Sequence, residues 1–385
     1  SAAISSYQKA IKHKPNYPKA YNNLGNALQE QGNLSAAISS YQQAIKLQHR
    51  YPEAYNNLGN AQQAKGNVRA AISSFQQAIN LQHRYPEAHY NLGLAFLLHG
   101  NYQLGWLEYE YRFQILNRPQ PPHAHPCIPK WQGESLDPSE QLLVVSEQGL
   151  GDTLQFMRYI PYLGQQGIDV SFCAQRKLHD LIKASGITSN PLPPEQGNEV
   201  KEGKWIPLLS VPRLLKITPD NPLVTDPYIH CSDELTSKWK ARLSKEKAPI
   251  IGINWQGNPN VEKNSAQGRS LPLETFSVIA RENNVTFLSL QKGFGSEQLD
   301  HCSFREKFVS CQKEIDGVWD FVEIAALISN CDLIITSDTS VAHLAGGMGK
   351  ATWLLLKNVP EWRWGMTSNS TFWYPSMRLF RQKER

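Results

Sequence analysis

The sequence lacks any apolar run approaching the roughly 18–20 residues a membrane helix needs, and it shows no secretory signal pattern. Its six cysteines (Cys127, Cys173, Cys231, Cys302, Cys311, Cys331) are scattered without a C-x-x-C pair. That spacing excludes a zinc ribbon or a disulfide framework and reads as a reduced, cytosolic set of core thiols. No run of five Lys or Arg occurs, and 39 basic against 34 acidic residues leave only +5, so nucleic acid is not called for. Several motifs are missing altogether: G-x-S-x-G, H-E-x-x-H, a nucleophilic-cysteine pattern and Asp-x-Asp. Gly346-Gly347-Met348-Gly349-Lys350-Ala351-Thr352 hints at a P-loop, but its lysine precedes Ala and it follows a helical stretch instead of opening one.

What is present starts with a period. Tyr7, Tyr41, Phe75 and Tyr109 lie 34 residues apart, and Leu24, Leu58 and Leu92, Gly25, Gly59 and Gly93, and Ala10, Ala44 and Ala78 keep the same step. This is the self-similarity of a helix–turn–helix solenoid of tetratricopeptide type, whose concave face typically holds an extended peptide. Residues 1–14 supply half a repeat, two whole repeats follow at 18–51 and 52–85, and a divergent one runs from 86 to 117. There Gly105, Trp106 and Tyr111 replace the usual small residues, as expected of a unit meeting a different neighbour. The chain opens inside the second helix of a repeat and not on Met, so further repeats are expected upstream.

At 385 residues, with 41% hydrophobic and 10% aromatic content, the chain has room for two or three domains with packed cores. Prolines 119, 121, 122, 126 and 129 preclude a helix, and 118–138 is assigned as a linker. Beyond it, short apolar runs (142–146, 168–173, 249–255, 285–290, 332–337, 351–356) alternate with helical patterns near 152–166, 272–282, 319–330 and 340–348. Such alternation predicts doubly wound parallel sheets. Residues 186–230 are rich in Pro and Gly and resist assignment. The expected organisation is an α-solenoid over 1–117 and two Rossmann-like α/β domains over 139–235 and 236–385, with ligands at the carboxyl ends of the strands.

Each motif after a strand has a structural and a chemical reading. Gly149-Leu150-Gly151-Asp152-Thr153 follows the first strand but lacks the third glycine of a dinucleotide fingerprint. Asp152 is then either an N-cap carboxylate or a general base at a helix start, where backbone N–H groups favour a negative charge. Asp338-Thr339-Ser340 precedes a helix whose first amides suit a phosphate, and His343 lies one turn in, as a further donor or as a structural histidine. Asn254, Gln256, Lys263 and Arg269 form a polar loop with two cations, suited to a diphosphate or simply solvated. Gln291 and Glu297, after the next strand, are candidates for base and ribose contacts. Trp362, Trp364, Trp373 and Tyr374 read as packing more readily than as sugar-stacking groups. Asn23, Asn57 and Asn91 recur at one position of each repeat; asparagine is a poor helix former, so either they bond within the repeat or they serve a bound peptide.

The pairing of Gly-Leu-Gly-Asp-Thr (149–153) with Asp-Thr-Ser-Val-Ala-His-Leu-Ala-Gly (338–346) resembles the lipopolysaccharide heptosyltransferase-like glycosyltransferases. It is more similar still to bacterial tetratricopeptide proteins carrying such a domain at the C-terminus, and the resemblance covers essentially the whole chain. It implies a GT-B fold and metal-independent, inverting transfer from a nucleotide-diphosphate sugar, with no cofactor. By the same resemblance Asp152 matches the catalytic base, Asp338, Thr339, Ser340 and His343 the donor site, and Lys263 or Arg269 the cation that offsets leaving-group charge. Heptosyltransferases have Asp-Thr-Gly where this chain has Asp-Thr-Ser, and they carry no solenoid. The architecture resembles the O-linked N-acetylglucosamine transferases, whose asparagine ladder grips peptide backbone. A cytoplasmic glycosyltransferase acting on a protein or peptide held by the repeats is therefore expected. The alternatives are a glycan- or lipid-linked acceptor, with the repeats used for docking, and a catalytically inactive scaffold.

Overall fold

A computed structural model describes residues 2–116, 122–262, 268–282 and 284–383. The chain separates into two compact units, one formed by Ser1–Pro119 with Asn358–Thr367, the other by Gln120–Lys357 with Ser368–Arg385.

The first unit is a run of antiparallel helices: α1 (Ala2–His13), α2 (Pro18–Glu30), α3 (Leu34–Leu47), α4 (Pro52–Ala64), α5 (Val68–Leu81), α6 (Pro86–His99) and α7 (Tyr102–Tyr109). Pro18, Pro52 and Pro86 open α2, α4 and α6, where a fixed φ suits the helix and the absent N–H leaves no bond unmade. Asn33 and Asn101 cap α3 and α7 by accepting from the Ala36 and Leu104 amides, each at 3.2 Å. The 34-residue period of glycine and aromatic resolves into a single contact. A Cβ on Gly25 would lie 2.5 Å from the Tyr41 ring, and one on Gly59 2.5 Å from the Phe75 ring. Both rings are buried, so the repeat packs only because those positions carry no side chain. In the last repeat Gly93 meets backbone instead, 2.7 Å from the Tyr109 nitrogen. The divergence of that repeat has a visible cause: Trp106 meets Trp362 edge to face at 5.3 Å, and Tyr109 lies 6.3 Å from the same ring. Its neighbour is the 358–367 segment, not another repeat.

The second unit contains two parallel sheets. One has the order β2-β1-β3, from β1 (Gln141–Val145), β2 (Asp169–Cys173) and β3 (Lys204–Pro207). The other has the order β5-β4-β6-β7-β8, from β4 (Ile250–Asn254), β5 (Thr286–Ser289), β6 (Leu333–Ser337), β7 (Thr352–Leu356) and β8 (Met377–Arg381). Strands β4 and β5 are buried at every residue, which is why they read as continuous apolar runs. Helices of this unit include α8 (Leu150–Phe156), α9 (Tyr159–Gln165), α10 (Asp233–Leu243), α11 (Phe321–Ser329) and α12 (Ser340–Gly347). Among the described residues no helix is long and apolar enough to cross a membrane.

Three features depart from the sequence expectation. The helix expected over 152–166 is two helices. Pro161 has no N–H to return to the Met157 carbonyl, so a continuous helix would lose that bond, and the break falls at Met157–Arg158. Strand β3 went unread because its four residues, ending on Pro207, sit in the Pro- and Gly-rich stretch. Strand β8 is not expected from the sequence because Arg378 and Arg381 interrupt its apolar residues. The 122–131 stretch lies along the first sheet, with Lys130 bridged to Trp205 and Ala124 buried among Leu143, Val145 and Cys173.

Candidate functional site

In each sheet one strand lies between two that leave in opposite directions: β1 between β2 and β3, β4 between β5 and β6. Parallel sheets hold ligands outside the carboxyl ends of strands at such a switch. Here those ends carry Ser146–Asp152 after β1, Asn254–Gly257 after β4 and Ser337–Ser340 after β6.

Helices α8 and α12 start at these ends and meet. A Cβ on Gly151 would lie 2.9 Å from His343 Cδ2 and 3.6 Å from the Ser340 Cα, so only glycine lets α8 press onto α12. The first turns of two helices, each with partial positive charge, therefore lie side by side. Asp152 answers one of them: its Oδ2 accepts from the Gly149 amide at 2.8 Å, closing the first turn of α8. The start of α12 has no side-chain cap, because Thr339 turns its hydroxyl to Asn254 Oδ1 at 2.8 Å.

That bond belongs to a buried amide network. Gln291 Oε1 accepts from Asn254 Nδ2 at 2.9 Å and from the backbone amides of Trp255 and Gln256 at 3.1 and 3.0 Å. Gln291 Nε2 donates to the Gln256 and Phe294 carbonyls at 2.9 and 2.7 Å. With both donors and its oxygen in use, the Gln291 side chain braces the ends of β4 and β5. Gln256 is likewise engaged, accepting from Gln298 Nε2 at 3.0 Å. Glu297 is exposed on the 3₁₀ turn Ser296–Asp300.

Arg269 lies over Gly257, where any Cβ would collide with its guanidinium. Its Nε donates to Glu262 at 3.2 Å and its Nη1 to the Asp338 carbonyl at 3.3 Å, which brings a cation to the residue preceding Thr339. Ser270 also donates to Glu262 and accepts from the Gly257 amide at 3.0 Å. Lys263, the other loop cation, lies outside the described residues. Asp338, Thr339 and Ser340 are half-buried, whereas His343 is only 5% exposed. The His343 Nδ1 is 2.9 Å from the Tyr374 hydroxyl, so this ring is part of the packing between α8 and α12.

Sequence reasoning missed several neighbours because they are distant in the chain. His123 lies at the end of β1, its amide donating to the Ser146 carbonyl at 2.9 Å and its Nδ1 2.8 Å from Ser146 Oγ. Burial holds its pKa below the usual imidazole value, against the opposing pull of Glu147 and Asp152. Glu147 is fully buried and accepts from the Leu209 amide at 3.2 Å. Arg158, 2% exposed, donates to the carbonyls of Gln155, Val224 and Trp373 at 2.7, 3.2 and 2.7 Å and to the Tyr228 hydroxyl at 3.1 Å. Among the described residues no group of three or more His, Cys, Asp or Glu side chains is placed to hold a metal ion.

In the helical unit Asn57 Nδ2 donates to Asn22 Oδ1 at 3.1 Å and Asn91 Nδ2 to Asn56 Oδ1 at 3.0 Å. The asparagines therefore bond between successive repeats, not within one. Asn23, Asn57 and Asn91 are half-buried while Asn22 and Asn56 are buried beneath them.

The TPR repeat family model matches residues 1–32, 26–66 and 64–100. The N-terminal third is a TPR solenoid. A curated relative, protein FlbA of Caulobacter vibrioides, is 25% identical over 297 residues, which cover 72% of this chain and 48% of FlbA. The chain thus spans about half the length of the curated relative it matches. Among solved structures, MamA is 32% identical over 29% of this chain and 66% of its own, with a TM-score of 0.28. YrrB, described as a TPR protein with an unusual peptide-binding site, is 22% identical over 29% of this chain and 56% of its own, with a TM-score of 0.26.

Proposed function

We propose that the sheet-bearing unit is a GT-B glycosyltransferase that takes a nucleotide-diphosphate sugar, and that the TPR repeats hold its protein or peptide acceptor. The observation that carries this reading is the convergence of α8 and α12 on Gly151 and Ser340, at the switch points of two parallel sheets. Two positive helix ends and Arg269, which is paired to Glu262 and also reaches the Asp338 carbonyl, support the reading that a diphosphate binds there. Asp338, an acceptor when ionised, suits sugar hydroxyls better than phosphate. In the transfer, Asp152 takes the proton of the acceptor group as that atom attacks the anomeric carbon. The bond to the diphosphate breaks, and its charge falls to the α12 amides and Arg269. A carboxylate offers about four lone-pair sites, so the bond to Gly149 does not exhaust Asp152. The reading predicts no metal or cofactor requirement and a cytoplasmic site of action.

Melting the protein with UDP-, GDP-, ADP- and dTDP-sugars tests this directly. A donor present at 100 times its Kd stabilises by about 2.7 kcal/mol, whereas no shift with any sugar nucleotide counts against the reading. The second reading, an interaction scaffold without transfer, draws support from Gln291 and His343, two expected ligand contacts already used in packing.

A further inference from the structure

Tyr374 stands against α12 at two points. Its ring fills the space above Gly346, where a Cβ would lie 2.6 Å away, and its hydroxyl is 2.9 Å from His343 Nδ1 one turn earlier. The guanidinium of Arg158 rests 4.7 Å from the centre of the same ring. Arg158 is buried, and each of its bonds goes to a carbonyl or a hydroxyl, none to a carboxylate. A guanidinium stays charged in a protein, so an uncompensated cation sits on the face of this phenol. Such a cation withdraws charge from the phenol oxygen, making the hydroxyl a better donor and a poorer acceptor. Tyr228, whose hydroxyl also meets that of Tyr374, gives its own proton to the Leu154 carbonyl at 2.7 Å and already accepts from Arg158 at 3.1 Å. An imidazole nitrogen lone pair is the stronger acceptor for the Tyr374 proton.

We propose that Tyr374 is a positioning residue: it donates to Nδ1 of His343 and thereby fixes the tautomer that carries its proton on Nε2. Which imidazole nitrogen holds the proton is set by the bond that the other makes. The Cδ2–Nε2 edge of His343 is the edge that lies against Gly151, with Nε2 3.6 Å from a Cβ built there. The fixed tautomer therefore turns an N–H donor toward the meeting point of α8 and α12. With the opposite tautomer the same edge would present a lone pair, which repels an anion. The value of this donor to a diphosphate rests on the glycosyltransferase reading; the tautomer itself does not.

The test is nitrogen NMR of histidine-labelled full chain, with the His343 signals assigned by their loss in His343→Gln. The expected wild-type spectrum has a pyridine-like, unprotonated Nδ1 and a protonated Nε2. Tyr374→Phe removes one hydroxyl and keeps the ring over Gly346, so the fold should hold while the two tautomers mix. A protonated Nδ1 in the wild type, or an unchanged tautomer in Tyr374→Phe, overturns the proposal. A structural role alone would not move this signature. Titration with UDP separates the two readings: Tyr374→Phe should bind roughly threefold to tenfold more weakly, the effect of one hydrogen bond. Equal UDP affinity in the two proteins overturns the role of the fixed donor. If the same titration with ADP, GDP and dTDP also gives no binding to either protein, the donor-site reading falls and the tautomer stands or falls by the spectrum.

Discussion

On the proposed reading Asp152 carries two separable loads, a helix cap and a general base, and three substitutions divide them. Its Oδ2 accepts from the Gly149 amide at 2.8 Å, the bond of a helix cap, which is worth about 1 kcal/mol. Asparagine at 152 keeps an oxygen in that place and loses the negative charge, so Asp152→Asn should lower stability by no more than about 0.5 kcal/mol, the lost charge–dipole attraction. Alanine loses cap and charge together and should cost about 1–1.5 kcal/mol. Glutamate keeps the charge but displaces it by one methylene. For sugar transfer the order differs: a positioned base contributes 10²–10⁴-fold, so Asn and Ala should both lose about that much, with Glu in between. The assay pairs urea unfolding with turnover of whichever nucleotide sugar stabilises the protein, followed by release of free nucleoside diphosphate. Stability should rank wild type, Asn, Ala; rate should rank wild type, Glu, then Asn and Ala together. An Asp152→Asn protein that turns over at the wild-type rate leaves Asp152 as a helix cap and removes it from the mechanism.

Other outcomes follow from contacts already described. Gly93→Ala places a methyl 2.7 Å from the Tyr109 backbone nitrogen, so the helix-propensity gain of about 1 kcal/mol should be outweighed by overpacking of about 1–3 kcal/mol. Gly164→Ala, in α9 with nothing within 4 Å, should be neutral or slightly stabilising, so thermal melts should show a fall for Gly93→Ala and none for Gly164→Ala. Under the donor reading, Arg269→Gln removes the cation beside Asp338 and should weaken binding of whichever nucleoside diphosphate stabilises the protein about 10-fold, with a flatter salt dependence by calorimetry. Below about pH 6.5 the unfolded chain protonates His123 while the folded chain, with its lowered pKa, resists. Stability from this group is therefore full above that pH and lost as pH falls toward the folded value. His123→Gln should show a smaller acid-side drop in melting temperature than the wild type.

The parts of this molecule legible in the sequence are those where one residue type is forced by a neighbour at fixed spacing. Gly25 and Gly59 announce the repeat because Tyr41 and Phe75 rest on them, and the apolar runs of β4 and β6 announce strands because both faces are covered. Strands β3 and β8 are hidden because one ends on proline and the other is interrupted by Arg378 and Arg381, so neither shows the run of a buried strand. The site was legible as segments and not as partners. Each strand end could be read as a polar turn, but the direction of Gln291 is decided by Trp255, Gln256 and Asn254, some 35–37 residues earlier. Asn254 reads as a ligand group in the sequence, and in the fold its side chain bonds Gln291 and Thr339. It is polar, at a strand end, and its Oδ1 draws the Thr339 hydroxyl away from the cap of α12. A helix start left uncapped by its own N-cap residue is open to an outside acceptor, at a cost to the folded chain. Asn254→Leu should let Thr339 turn back to cap α12. Under the donor reading, the variant's melting temperature without nucleotide should then fall less than its UDP affinity. If UDP binding survives that change intact, the uncapped start of α12 is not where the anion sits.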